Sequence, residues 1–216
     1  MVLKNNVVVN YIPCLWQKRL HSVKARVKYI WAGRRAGKGR AVIQEALSLI
    51  EEASLKPFIM NGIDMTNTLV PPIHVWTVAP TRAQMRQVWN EMKAFIPPHL
   101  VKRRVAGQAG GRGSGWKEDE LYVELELRAP NGKWLKGRHR RTVLWELKSA
   151  DNPESLQTVG LDFLHIAEAQ DIKEAAWNKV RPTLNSPGRL GRACIEGIPP
   201  ISSCLLYTSD AADDLT

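Results

Sequence analysis

The chain has 216 residues, of which 44% are hydrophobic and 24% charged, and this balance favours one soluble globular domain over a disordered chain. It has no apolar run long enough to cross a bilayer, and its three widely spaced cysteines (Cys14, Cys194 and Cys204) show no disulfide or metal-ligand pattern, which suits a reducing cytosol. The net charge of +10 is compatible with a polyanionic partner and equally with ordinary solubility.

The most informative segment is the glycine-bearing loop at residues 31–40, W-A-G-R-R-A-G-K-G-R. A β-prone run at 27–31 precedes it, and a helical pattern at 41–50 follows. A strand, a glycine turn and a helix N-terminus make an anion site, because unpaired backbone N–H groups converge there with the positive end of the helix dipole. Against the phosphate-binding template G-x-x-x-x-G-K-[ST], Lys38 is in place, but the first glycine is missing and Gly39 replaces the hydroxyl residue that binds Mg²⁺.

The next segments predict a loop, a strand and a helix in succession. Residues 61–72 are polar and proline-marked, which indicates a loop, and residues 73–78 (I-H-V-W-T-V) read as a short strand. Thr81 is a good N-cap for the helical pattern Arg82–Phe95, which is apolar on one face. Pro97 and Pro98 end that helix.

A glycine-rich run at Gly107–Gly115 resembles a second phosphate loop, but the segment after it alternates like a strand, so no helix N-terminus would face it. We interpret it as a flexible hairpin connection. Strand patterns at Leu121–Leu127 and Thr142–Trp145, with Asn131-Gly132 as a turn between them, predict antiparallel additions to the main sheet.

A basic run follows that turn, with four cationic side chains: Lys136, Arg138, Arg140 and Arg141. These side chains could contact DNA phosphates or supply an arginine finger to a neighbouring subunit. The alternative is the solvated face of an edge strand, where charge discourages aggregation.

A second chemical anchor lies at Phe163–Asp171, F-L-H-I-A-E-A-Q-D. A nucleotide hydrolase places a Mg²⁺-ordering aspartate and a water-activating glutamate after a strand of this kind, beside the phosphates. Glu168 is present, whereas Ala167 stands at the aspartate position. A further strand pattern at Arg192–Pro200 ends in G-I-P-P, where it could sense the state of a nucleotide.

In their order, these segments resemble the ATPase domain of the large subunit of tailed-phage terminase, the motor that packages DNA. The resemblance covers roughly residues 11–201. It extends to an approach segment, D-N-P-E-S-L-Q-T-V-G, before the second anchor and to R-P-T-L at Arg181–Leu184 after it.

The resemblance implies a P-loop NTPase fold of the α/β class: a three-layer sandwich with a mostly parallel sheet and antiparallel additions. It implies ATP and Mg²⁺ as cofactors, with Glu168 and Arg34 as catalytic residues. The nucleotide-binding residues that it implies are Gln17 (an adenine contact), Gly33, Arg34, Arg35, Ala36, Gly37, Lys38 and Gly39. It also implies a coupling motif at Gly197, Ile198 and Pro199.

Double-stranded DNA, the terminase small subunit and the portal are the partners that the resemblance implies, together with a homo-oligomeric ring during packaging, without a membrane and in the host cytoplasm. Three departures bear on activity. Gly39 and Ala167 lack both protein ligands of Mg²⁺, and Ile198 lacks the coupling threonine's hydroxyl. We therefore expect a chain that binds ATP and hydrolyses it poorly. The alternatives are a helicase-like ATPase and a catalytically degenerate nucleotide- or DNA-binding remnant.

The last residues, 204–216, continue no pattern set upstream and resemble a translated sequencing adapter; an ordinary acidic tail is the alternative. The expected organisation is therefore an ATPase domain at residues 1–203, incomplete at its C-terminus, followed by a non-native tail. The nuclease domain of the terminase family is absent from this organisation.

Overall fold

A computed structural model of the chain describes residues 11–65, 70–103 and 115–199. The helices are α1 (Leu15–Ser22), α2 (Lys38–Leu55), α3 (Arg82–Phe95) and α4 (Glu174–Val180). The strands are β1 (Val27–Trp31), β2 (Ile59–Met60), β3 (Ile63–Asp64), β4 (Ile73–Ala79), β5 (Trp116–Lys117), β6 (Tyr122–Glu126), β7 (Thr142–Ser149), β8 (Phe163–Ile166) and β9 (Arg192–Gly197). In the described residues, no helix is both long and apolar enough to span a membrane.

Seven of these strands form one sheet in the order β1-β9-β8-β4-β7-β6-β5. The first five strands in this order, β1-β9-β8-β4-β7, pair in parallel, and β6 pairs antiparallel with both β7 and β5. Helices cover both faces, so the predicted fold class is confirmed. Because β1, β4, β8 and β9 are parallel, their carboxyl ends meet at one edge, and the segments that follow them are brought together there.

Two local predictions are only partly right. The strand at Thr142–Ser149 is not simply an antiparallel addition, because it also pairs in parallel with β4 along its whole length. Its inward side chains are buried, as expected for an internal strand. The loop predicted at residues 61–72 begins with the turn and second strand of the β2–β3 hairpin, since Asn61 and Gly62 both adopt positive φ angles, which a tight hairpin turn requires.

The core has two parts, one on each face of the sheet. On one face, α2 packs against the sheet and against α3, and most of its residues are buried. On the other face, Trp76, Leu164 and Ile195 pack with Trp177 of α4. Helix α3 has the predicted bounds, and the Thr81 side chain accepts a hydrogen bond from the Gln84 N–H (3.3 Å), which confirms the N-cap.

Two predictions cannot be followed in the fold. Residues 107–114 of the glycine-rich run and the whole segment 204–216 lie outside the described residues. The hairpin connection and the adapter-like tail therefore stay predictions.

Candidate active site

The glycine-bearing loop forms a tight turn between β1 and α2. Gly37 is the N-cap of α2 and has a left-handed backbone (φ +80°), which a side chain would strain. The first N–H groups of α2 have no partner within their own helix, so they are available to an anion. They open into a cleft of about 660 Å³, which Arg34 and Arg35, both exposed, also line.

Lys38 is the buried cation of this loop, and only 6% of its surface is exposed. Its Nζ donates hydrogen bonds to the carbonyls of Ala32 (3.1 Å) and Gly33 (3.2 Å). The ammonium is thus held over the loop by neutral acceptors. Phosphate oxygens would be stronger acceptors for it, because they carry negative charge and the carbonyl oxygens do not.

Gln17 lies against the loop but does not line the cleft. Its Nε2 donates to the Gly37 carbonyl (3.2 Å), and its Oε1 accepts from the Cys14 N–H (3.0 Å). Both ends of the amide are engaged by the protein, so in this arrangement Gln17 supports the loop. Contact with adenine would require the amide to exchange one of these partners.

Glu168 follows β8 at the same edge and lines the same cleft as the loop. Its backbone is left-handed (φ 52°), which is uncommon for a residue with a side chain and is found at functional sites. Its Oε2 accepts a hydrogen bond from Gln170 Nε2 (2.7 Å), and Gln170 Oε1 accepts from the Ile198 N–H (3.0 Å). The structure therefore joins the predicted base to the predicted coupling segment through Gln170.

The coupling segment is tightly packed where it leaves β9. A Cβ on Gly197 would clash with the Trp31 ring and come within 2.6 Å of Gln170 Oε1, so only glycine fits. The next residue, Ile198, lines the cleft, and Pro199 is exposed. Sequence reasoning missed the role of Gln170, although it lies within the E-A-Q-D signature.

Glu91 of α3 is a second residue that sequence reasoning missed. It lies in the cleft, and its carboxylate occupies the space that a Cβ on Gly39 would fill. Burial raises the pKa of the Glu91 carboxyl, and the nearby carboxylates of Glu196 and Glu168 raise it further. A helical stripe of cleft-lining residues (84, 87, 88, 91 and 95) on α3 was the available signal, since it lies beside the apolar stripe that packs on the sheet.

The two positions where Mg²⁺ ligands are expected carry no oxygen side chain. Ala167 is buried, and its N–H donates to the Val78 carbonyl (2.9 Å). Across the described ranges, no three His, Cys, Asp or Glu side chains are grouped so as to hold a metal ion. Magnesium in nucleotide sites, however, usually uses only one or two carboxylates and takes its other ligands from phosphates and water.

The basic run does not form the predicted surface. Arg138 pairs with Glu51 (2.9 Å) and Arg140 with Asp162 (2.7 Å), and all four side chains are buried. Buried, ion-paired guanidinium groups cannot reach a duplex, so the predicted DNA contact of these two residues is corrected.

The alternative of a solvated edge strand is also wrong, because residues 136–141 lie in a connection before β7. Lys136 and Arg141 are exposed and keep the predicted DNA role as a hypothesis.

Known structures share this fold. The chain is similar to the large terminase ATPase domain of Thermus phage P74-26, with 23% identity and a TM-score of 0.61 over 90% of this chain and 68% of that chain. It is similar to the HK97 bacteriophage large terminase, with 12% identity and a TM-score of 0.55 over 99% and 40% of the two chains. For the large terminase of a thermophilic bacteriophage in complex with ATP-gamma-S, the identity is 11% and the TM-score 0.55 over 92% and 41%.

No protein-family model and no curated protein matches the chain. The fold and the loop before α2 define a P-loop-like α/β protein. More particularly, its structural neighbours include the ATPase domain of one phage large terminase and the large terminase of another phage.

Proposed function

We propose that the chain is the ATPase motor domain of a phage large terminase, which couples ATP hydrolysis to translocation of double-stranded DNA into a procapsid. The observation that carries the proposal is that buried Lys38, at the start of α2, and Glu168, after β8, line the same cleft. The large terminase of the thermophilic bacteriophage, whose structures include complexes with ADP and with ATP-gamma-S, supports a nucleotide as the ligand.

Each side chain then has a defined task. The N–H groups at the start of α2 and the Lys38 ammonium bind the β- and γ-phosphates, and Arg34 faces the triphosphate from the rim. Glu168 orients the attacking water. When bound, Mg²⁺ neutralises charge that develops on the γ-phosphoryl oxygens.

Gln170 is the positioning residue of this mechanism. Its amide holds the Glu168 carboxylate and the Ile198 N–H at the same time, so a shift of the chain after β9 moves the base. This bridge would supply the link that the absent threonine hydroxyl at position 198 provides in the terminase family.

The remnant hypothesis is favoured by the two missing Mg²⁺ ligands, since Gly39 and Ala167 stand where a hydroxyl residue and an aspartate are expected. It differs from the motor hypothesis in turnover, not in nucleotide binding. The DNA duplex, the small subunit, the portal and the packaging ring remain part of the proposal through the likeness to terminases.

Nucleotide affinity of Lys38→Ala tests the site. We expect a loss of about 10–100-fold, because at least one charge-assisted hydrogen bond worth about 1.5–3 kcal/mol disappears. Isothermal titration with ATP-gamma-S measures it, and circular dichroism checks the fold. Lys56→Ala removes the same charge at the far end of α2 and serves as the control. Equal affinities of Lys38→Ala and the unmutated protein would contradict the assignment.

A further inference from the structure

Gly39 and Glu91 both line the cleft, and the Glu91 carboxylate lies against Gly39. Gly39 lies in the first turn of α2, where glycine costs about 1 kcal/mol relative to alanine. Its backbone is not left-handed, so conformation does not demand a glycine. The space above it is taken by the Glu91 carboxylate, and any larger residue would displace that group. The Glu91 carboxylate therefore occupies the place that a hydroxyl side chain at position 39 would take.

The surroundings of Glu91 leave its carboxylate free to bind. In the part of the chain that the structure describes, no side chain donates a hydrogen bond to it. Glu196, which also lines the cleft, is buried, and its Oε1 lies 3.3 Å from His165 Nε2. A half-buried carboxylate without a donor, close to other carboxylates, is a favourable ligand for a hard divalent cation.

We propose that Glu91 is the protein ligand of the Mg²⁺ ion that accompanies the nucleotide, in the place of the hydroxyl that Gly39 lacks. The inference rests on the proposed function, since the phosphates supply the other ligands. It fits the absence of a three-residue metal cluster from the described ranges, because one carboxylate with phosphates and water is enough. The loss of the position-39 hydroxyl is thus compensated from α3.

The alternative role for Glu91 is purely electrostatic. Glu91 could act only as a counter-charge to the Lys38 ammonium, on which its charge acts. In that case its removal would alter nucleotide affinity equally with and without a divalent cation. Metal dependence of the affinity therefore distinguishes the two roles, and it is a binding measurement that needs no turnover.

The experiment titrates fluorescent ADP into the full chain with Mg²⁺ and with EDTA. We expect Mg²⁺ to tighten binding to the unmutated protein. In Glu91→Gln this enhancement should fall at least about tenfold, since loss of even an indirect partner of a metal ligand costs about 10–100-fold. Affinity in EDTA should be retained or improved, because a negative charge has left the cleft. Asp171→Asn, an exposed acid of the same cleft, is the matched control and should keep the enhancement.

A rescue variant makes the test specific to the matched pair. Glu91→Ala together with Gly39→Ser removes the carboxylate and supplies the hydroxyl in the vacated space. We expect it to recover metal enhancement relative to Glu91→Ala alone. No recovery would overturn the statement that Glu91 replaces the position-39 hydroxyl.

The remaining outcomes separate this inference from the proposed function. Full enhancement in Glu91→Gln, an equal loss in Asp171→Asn, or nucleotide binding by the unmutated protein without any effect of Mg²⁺ would overturn the inference alone. Failure of the unmutated protein to bind nucleotide in either buffer would instead overturn the proposed function.

Discussion

Arg140→Ala should destabilise the fold far more than it affects any contact with DNA. The guanidinium donates two hydrogen bonds to Asp162 (2.7 and 2.8 Å) and one each to the carbonyls of Pro72 (2.8 Å) and Pro71 (3.2 Å). The Arg140 and Asp162 side chains are 3% and 2% exposed. Four bonds and one buried ion pair are therefore removed together.

The expected loss in the free energy of unfolding is about 3–5 kcal/mol, the usual effect of removing one partner of a buried ion pair. Asp162 keeps a bond from Arg189 (2.8 Å), which limits the loss. The Pro71 carbonyl loses its bond from Arg140, which adds to the loss, whereas the Pro72 carbonyl keeps a bond from Arg189 (2.6 Å). Since a domain is stable by about 5–15 kcal/mol, and each kcal/mol shifts the melting temperature of a chain of this size by about 2–4 °C, we expect melting about 6–20 °C lower.

Urea unfolding followed by tryptophan fluorescence measures this loss. Lys136→Ala and Arg141→Ala remove the same charge from exposed positions in the same segment and should stay within about 0.5 kcal/mol of the unmutated protein. A loss below about 1 kcal/mol for Arg140→Ala, or equal losses for all three variants, would refute the argument from burial.

Two further predictions concern pH and coupling. Burial alone would raise the pKa of Asp162, but hydrogen bonds and charge from Arg140 hold this pKa below its usual value. The ion pair therefore stabilises the fold above about pH 4, and this stability is lost as the pH falls further. When unfolding is measured against pH, the acid-dependent loss should be smaller in Asp162→Asn. Gln170→Leu should lower the kcat for ATP about 10–100-fold with little change in KM, because it releases Glu168 without removing a phosphate ligand. Steady-state assays measure this, with Gln87→Leu as the control, and a raised KM at constant kcat would contradict it.

Local patterns in the sequence predicted the part of the site that is built from adjacent residues. The strand, the turn and the helix around Lys38 are consecutive in the chain, so their order alone predicts an anion site. Helix α3 was predicted with its bounds because Thr81 caps it and two prolines follow it. Glu168 was placed at a strand end in the same way.

The family-implied roles depend on more than these patterns. Gln17 was predicted to contact adenine, but the structure shows its amide bonded within the protein. Gln170 and Glu91 were missed, because their roles depend on contacts with segments that are distant in the chain. Their partners are the Ile198 N–H, 28 residues away, and the space above Gly39 on another helix.

The sequence by itself determined the α/β class, the glycine turn between β1 and α2 and the strand-end glutamate, because hydrophobic periodicity and turn chemistry act over a few residues. Only the tertiary structure decided that β7 is an internal strand, that Arg138 and Arg140 are structural, and that Glu91 faces Gly39. Arg138 meets Glu51 over a separation of 87 residues, and Arg140 meets Asp162 over 22. Burial and ion pairing of this kind depend on how distant segments pack together, and a charged residue in a sequence looks the same whether solvent or a carboxylate surrounds it.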